Sequence, residues 1–182
     1  MRQLSDRKSQ PAPLLFCLLL LLTPSMVGAQ TPNQERLSLR GLQGIGVLIE
    51  EIRGTAKEDG LTDSQLQTDV ELRLRKAGIR IMTVDELKKS GTPYLYLNIQ
   101  NIKDKQGRGY VYYVHLSVQQ DVRLERKIAV LPNEPNQIRM TVATWERNNL
   151  GTLPGSDLRR VRNIVADQVD EFINDYLAEN AK

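Results

Sequence analysis

Few side chains in this sequence are equipped for catalysis. His115 is the single histidine, and a general base of this kind needs a nucleophile or an orienting carboxylate within hydrogen-bond reach. There is no Gly-x-Ser-x-Gly elbow, and no serine sits on a strand-to-helix turn in that setting. One imidazole without a companion ligand set makes no metal site. Cys17 is the single cysteine and stands inside a run of leucines. A chain processed beyond it has no thiol, and so no disulfide, cysteine nucleophile or thiolate metal centre. Gly41-Leu42-Gln43-Gly44-Ile45-Gly46 is rich in glycine but leads into a strand. A dinucleotide loop follows a strand and opens a helix, and no lysine with serine or threonine completes a phosphate loop. Glu50 and Glu51 are adjacent on a strand and point to opposite faces. Asp104 and Asp121 lack the spacing of a calcium loop. No catalytic, cofactor-binding or metal-binding residue is assigned, and no cofactor is expected. A hydrolase using His115 with an Asp or Glu ranks last among the functional readings.

A recognition surface is the more promising chemistry. Tyr94, Tyr96 and Asn98 alternate along one stretch, Tyr113, His115 and Ser117 along a second, and Thr141 and Trp145 along a third. Successive side chains of a strand alternate between faces. Paired in register, these residues would form one aromatic and polar sheet face, with Tyr94, Tyr96, Tyr113, His115 and Trp145 as its interaction residues. Tyr and Trp supply rigid contact area with one polar end and are enriched at interfaces. Aromatics also favour strands for packing alone, which is the competing account of the same pattern.

The elements that must position these residues are legible from periodicity. Residues 45–52 form a β-rich run. Residues 54–60 read as a turn-prone connection. Thr62-Asp63-Ser64-Gln65 is a capping box flanked by Leu61 and Leu66 as a hydrophobic staple. Leu66, Val70, Leu74 and Ala77 repeat at helical spacing, and Gly78 ends the helix. Residues 79–82 read as a short strand, and Thr83-Val84-Asp85-Glu86 is a second capping box opening one helical turn. Residues 94–102, 110–126 and 138–147 are predicted as three strands of an antiparallel meander. Tyr112, Val114, Leu116, Val118, Val122 and Leu124 share one face of the middle strand. Residues 103–109 form a hairpin loop, and 132–136 a second turn. Ser156 is read as the cap of a last helix whose apolar stripe is Leu158, Val161, Val165, Val169, Phe172 and Tyr176. The order β-α-β-β-β-β-α predicts an α+β domain with a four- to five-stranded mixed sheet. Both amphipathic helices are expected on one face of it, leaving the other open.

The N-terminal residues read as an address. Arg2, Arg7 and Lys8 precede the apolar run 14–22, Pro24 breaks it, and Val27-Gly28-Ala29 supplies a small-residue cleavage site. The run is shorter than the roughly 20 residues that span a bilayer. Cys17 follows Phe16 and does not sit where a lipoprotein cysteine would. The division expected is a signal peptide over 1–29, a flexible tail over 30–41 and a single domain over 42–182, periplasmic or secreted, with no transmembrane segment after cleavage. Hydrophobic residues make up 40% and charged residues 26% of the chain, the balance of a globular protein rather than a disordered one. Arg2, Arg7 and Lys8 against Asp6 account for two of the three net positive charges. The remainder is close to neutral, which argues against nucleic acid as a partner even though open aromatic sheets serve that purpose elsewhere.

The start of the domain resembles a recurrent envelope-protein module. A strand, a helix ending in leucine and alanine-glycine (Leu66 through Ala77-Gly78), the strand Ile79-Arg80-Ile81 and a further strand from Tyr94 are similar in layout to the TolB N-terminal domain and CsgG-type secretion proteins. The chain lacks the lipoprotein cysteine of the second and the propeller of the first. The resemblance implies a non-enzymatic assembly or interaction component; the favoured reading is an exported accessory module of the cell envelope that binds an envelope protein through the open sheet face or an exposed sheet edge. The alternative is a carrier of a small apolar or amphipathic ligand held between sheet and helices.

Overall fold

The computed structural model describes residues 32–125, 139–155 and 157–181. The expected signal segment 1–29, the turn at 132–136 and the Ser156 cap lie outside the described residues. The elements follow in the order α1 (Pro32–Leu37), β1 (Gly46–Ile49), α2 (Thr55–Glu58), α3 (Asp63–Lys76), α4 (Val84–Leu87), β2 (Tyr94–Lys103), β3 (Gly109–Arg123), β4 (Arg139–Pro154) and α5 (Arg159–Asn180). The fold is α+β: a four-stranded mixed sheet ordered β1-β2-β3-β4, with β1 parallel to β2 and the later pairs antiparallel.

Local sequence accounts for the helix ends. Thr62 caps α3 by accepting the Gln65 amide at 3.3 Å, although Gln65 does not return the bond. The helix closes in a Schellman motif: Ile79 N donates to Leu74 O at 3.0 Å and Gly78 N to Arg75 O at 3.0 Å. Gly78 carries the required left-handed φ of 76°. At α4 the reciprocal box forms in full, with Thr83 accepting from the Glu86 amide and Glu86 accepting from the Thr83 amide.

Both long helices lie on one sheet face. Leu66, Val70 and Leu74 of α3, with Val161, Val165, Val169, Phe172 and Tyr176 of α5, bury against Val47, Leu95, Leu97, Val114, Leu116 and Val118. The strand alternation expected for Tyr112, Val114, Leu116 and Val118 holds, since all four are buried. Truncating a leucine in such a layer costs about 2–5 kcal/mol.

Four expectations are corrected by the tertiary structure. Residues 79–82 make a single parallel bridge, Ile45 with Ile81, because the chain turns at Thr83 into α4. Within the expected flexible tail, 34–41 is docked: Leu39 is fully buried, Gly41 N donates to Asn180 Oδ1 at 2.8 Å, and Asn180 Nδ2 donates to Leu39 O at 2.9 Å. The connection 54–60 contains the single-turn α2, which buries Ala56. β4 runs to Pro154, past the expected strand end at Arg147, and α5 begins at Arg159 without a side-chain cap bond.

Candidate interaction face

The sheet face away from α3 and α5 is built by the register. Tyr94 pairs with Gln119, Tyr96 with Ser117, Asn98 with His115, Gln100 with Tyr113 and Ile102 with Val111. On the far side, His115 pairs with Asn148, Tyr113 with Leu150 and Ser117 with Glu146. Directly opposite residues of an antiparallel pair share a face. Tyr94, Tyr96, Tyr113 and His115 are therefore brought together on the open face, each half-buried.

Trp145 is not with them. It pairs with Val118, is fully buried, and meets Phe172 edge-on with ring centroids 5.4 Å apart. The cause is a β-bulge. Val118 pairs with Trp145 but Gln119 pairs with Ala143, so Thr144 is an extra residue in β4. One inserted residue reverses the facing of everything beyond it. Thr141 remains on the open face opposite Asp121, while Trp145 turns to the helices.

Polar contacts fix the side chains that remain. Tyr113 Oη donates to Asn148 Oδ1 at 2.6 Å, and its ring stacks on His115 at 6.2 Å between centroids. His115 Nε2 lies 3.1 Å from Glu146 Oε2. The Tyr96 hydroxyl and the Asn98 amide both donate to Glu50. The Tyr96 bond, and then that from Asn98, holds the Glu50 carboxyl below the usual carboxylate range. The same bond raises Tyr96, since donating a hydrogen bond to a carboxylate favours the protonated phenol.

His115 and Glu146 form an imidazole–carboxylate pair, but Ser117 makes no bond to it. Ser117 is fully buried and its Oγ accepts from Gln119 Nε2 at 2.9 Å. Among the described residues, no group of three His, Cys, Asp or Glu side chains is placed to hold a metal ion. No described helix is long and apolar enough to cross a membrane.

Residues absent from the sequence-based face complete it. Ile102, Val111 and Leu150 are 72%, 47% and 74% exposed. With Tyr113, Asn98 and Glu50 they line a groove of about 510 Å³. The parity of Ile102 with Tyr94 and of Val111 with Tyr113 was the available signal. Leu150 had none, since its strand was expected to end at Arg147. At the opposite end Leu87 of α4 lies over Gly46, where an added β-carbon would clash with Leu87 Cδ2. No protein-family model matches the chain, and comparison with curated proteins finds no match.

Proposed function

We propose that this chain is a non-enzymatic exported interaction module of the cell envelope, periplasmic or secreted, that binds an envelope protein through the open sheet face. The observation that carries the reading is the exposed cluster Ile102, Val111 and Leu150 beside Tyr113, rimmed by Glu50, Asn98 and Asn148. Contiguous exposed apolar surface with a polar rim is the composition of a protein-binding site. The charge pattern of residues 1–29 supports export, and the layout similar to TolB N-terminal and CsgG-type modules supports an accessory role.

The carrier reading places an apolar ligand between sheet and helices. There Leu66, Leu74, Leu116, Val118, Val169 and Phe172 are fully buried against one another, which weighs against a chamber between the layers. The groove on the open face is the better place for such a ligand. The hydrolase reading has the His115–Glu146 pair in its favour and lacks a hydrogen-bonded nucleophile.

The test is affinity capture from an envelope extract with the full chain and with an Ile102→Ser/Val111→Ser variant shown to be folded. An envelope protein retained by the wild type, lost by the variant and rebinding as a purified component supports the module. Equal retention by both moves the interface off this face. Bound lipid or another small amphiphile in place of a protein favours the carrier.

A further inference from the structure

We propose that the outer edge of β4 pairs with the same edge of a second copy, joining two four-stranded sheets across a two-fold axis at Leu150.

β4 is the last strand of the sheet and has no neighbour on its outer side among the described residues. The direction of its backbone groups follows from the hairpin. Gly109 O accepts from Asp104 N at 2.8 Å, so Gly109 faces β2, and Gly155 N reaches Arg108 O at 2.6 Å. Gly109 is opposite Pro154, which has no N–H. Hydrogen-bonded and non-bonded pairs alternate along an antiparallel ladder. Leu153, Gly151, Asn149 and Arg147 therefore bond inward to β3, and Glu146, Asn148, Leu150 and Thr152 turn their amides and carbonyls outward.

Among the described residues, the edge is protected at its ends. Thr144 forms the bulge and its carbonyl accepts from Ser38 Oγ at 3.2 Å, and the Glu146 carbonyl accepts from Arg147 Nη1 at 2.7 Å. At the other end Pro154 lacks a donor. Between them no lysine, proline or bulge blocks pairing. The outward groups of Asn148, Leu150 and Thr152 have no partner among the described residues, and Leu150 is their midpoint.

A two-fold axis at Leu150 sets this residue against its own copy and Asn148 against Thr152. Leu150 is 74% exposed in one copy, and the pairing covers it with a leucine. Glu146 then falls opposite Pro154 and Arg147 opposite Leu153, so no like charges meet. An axis at Arg147 or Glu146 would oppose like charges. The open face with Ile102 and Val111 becomes continuous across both copies.

The experiment is light-scattering mass of the purified full chain over a concentration series. Two copies are expected, with Leu150→Pro raising the dissociation constant by roughly tenfold or more, because it removes an outward donor that no internal bond uses. Leu150→Lys serves if the proline variant is unfolded. Leu150→Cys in a Cys17→Ser background should form an intermolecular disulfide with oxidised glutathione as electron acceptor, since a hydrogen-bonded pair sets Cα atoms about 5.5 Å apart. Ile102→Ser, which lies off the edge, should leave the mass at two copies. A single-copy wild type at every concentration overturns the proposal. So does a dimer insensitive to Leu150→Pro and Leu150→Lys, or one dissociated by Ile102→Ser.

Discussion

Trp145 donates its indole N–H to the Asp175 carboxylate across 3.0 Å, tying the edge strand of the sheet to the C-terminal helix. Arg147 lies over the indole at 4.5 Å and bonds the same carboxylate at 2.9 Å, while also reaching Glu35 on α1 and Glu171 on α5. The largest aromatic of the chain is thus a hub of the core side, and Tyr113, on the sheet face turned away from α3 and α5, is a residue of the open side.

These placements predict opposite costs. Trp145→Ala should destabilise the fold by about 3–5 kcal/mol, through lost volume and the lost indole hydrogen bond to Asp175. Tyr113→Ala should cost no more than about 1 kcal/mol, as a half-buried cross-strand contact. Urea denaturation of both variants compares them directly; similar midpoints would mean that the facing of β4 is misassigned.

Arg147 holds α1 in place through Glu35, with Arg36 and Arg40 adding ion pairs to Glu179. Arg147→Leu should cost about 1–2 kcal/mol, since charged hydrogen bonds in a half-buried setting are lost but the stem's packing is kept. Amide exchange over 34–41 should accelerate more than exchange within β2. Uniform acceleration throughout the sheet would deny α1 a separate anchoring.

Acid should loosen the β1 edge. Arg80, followed by the amide and hydroxyl of Thr83, depresses the Glu86 carboxyl from 4.5 to about 2. A group with a depressed folded pKa contributes stability above its unfolded value and loses it as pH falls through the folded one. The contribution is whole above about pH 5 and fades toward pH 2. Glu86→Gln should therefore flatten the acid limb of the melting temperature in that window. Parallel acid limbs for variant and wild type would rule out this carboxylate as a source.

Gly46 is required by proximity. An added β-carbon would clash with Leu87 Cδ2 and meet Tyr94 Cβ at 3.2 Å. Gly46→Ala should destabilise by about 1–3 kcal/mol, as overpacking does. Combining it with Leu87→Ala should recover part of that loss, which a thermal melt of the double variant would register. An additive penalty would place the clash elsewhere.

Local chemistry was enough to read several parts of this molecule from its residues. The caps at Thr62 and Thr83, the glycine stop at Gly78, the apolar stripes of α3 and α5 and the alternation of β3 depend on contacts within a few positions. Such contacts are spelled out by spacing. From these followed the α+β class, the two helices on one face, and an open face carrying Tyr94, Tyr96, Tyr113 and His115. Other features rest on contacts distant in sequence. Whether 79–82 becomes a strand depends on what its edge meets, and whether 34–41 docks depends on Glu179 and Asn180 near the other end of the chain. Trp145 is the sharpest case. Its period agreed with Thr141, and alternation alone would keep both on one face. Thr144 is ejected from the ladder as Trp145 settles on Phe172 and Asp175, and one unpaired residue is enough to invert the facing of the strand beyond it. Strand periodicity states which residues alternate; only the packed partner layer decides where the alternation is broken.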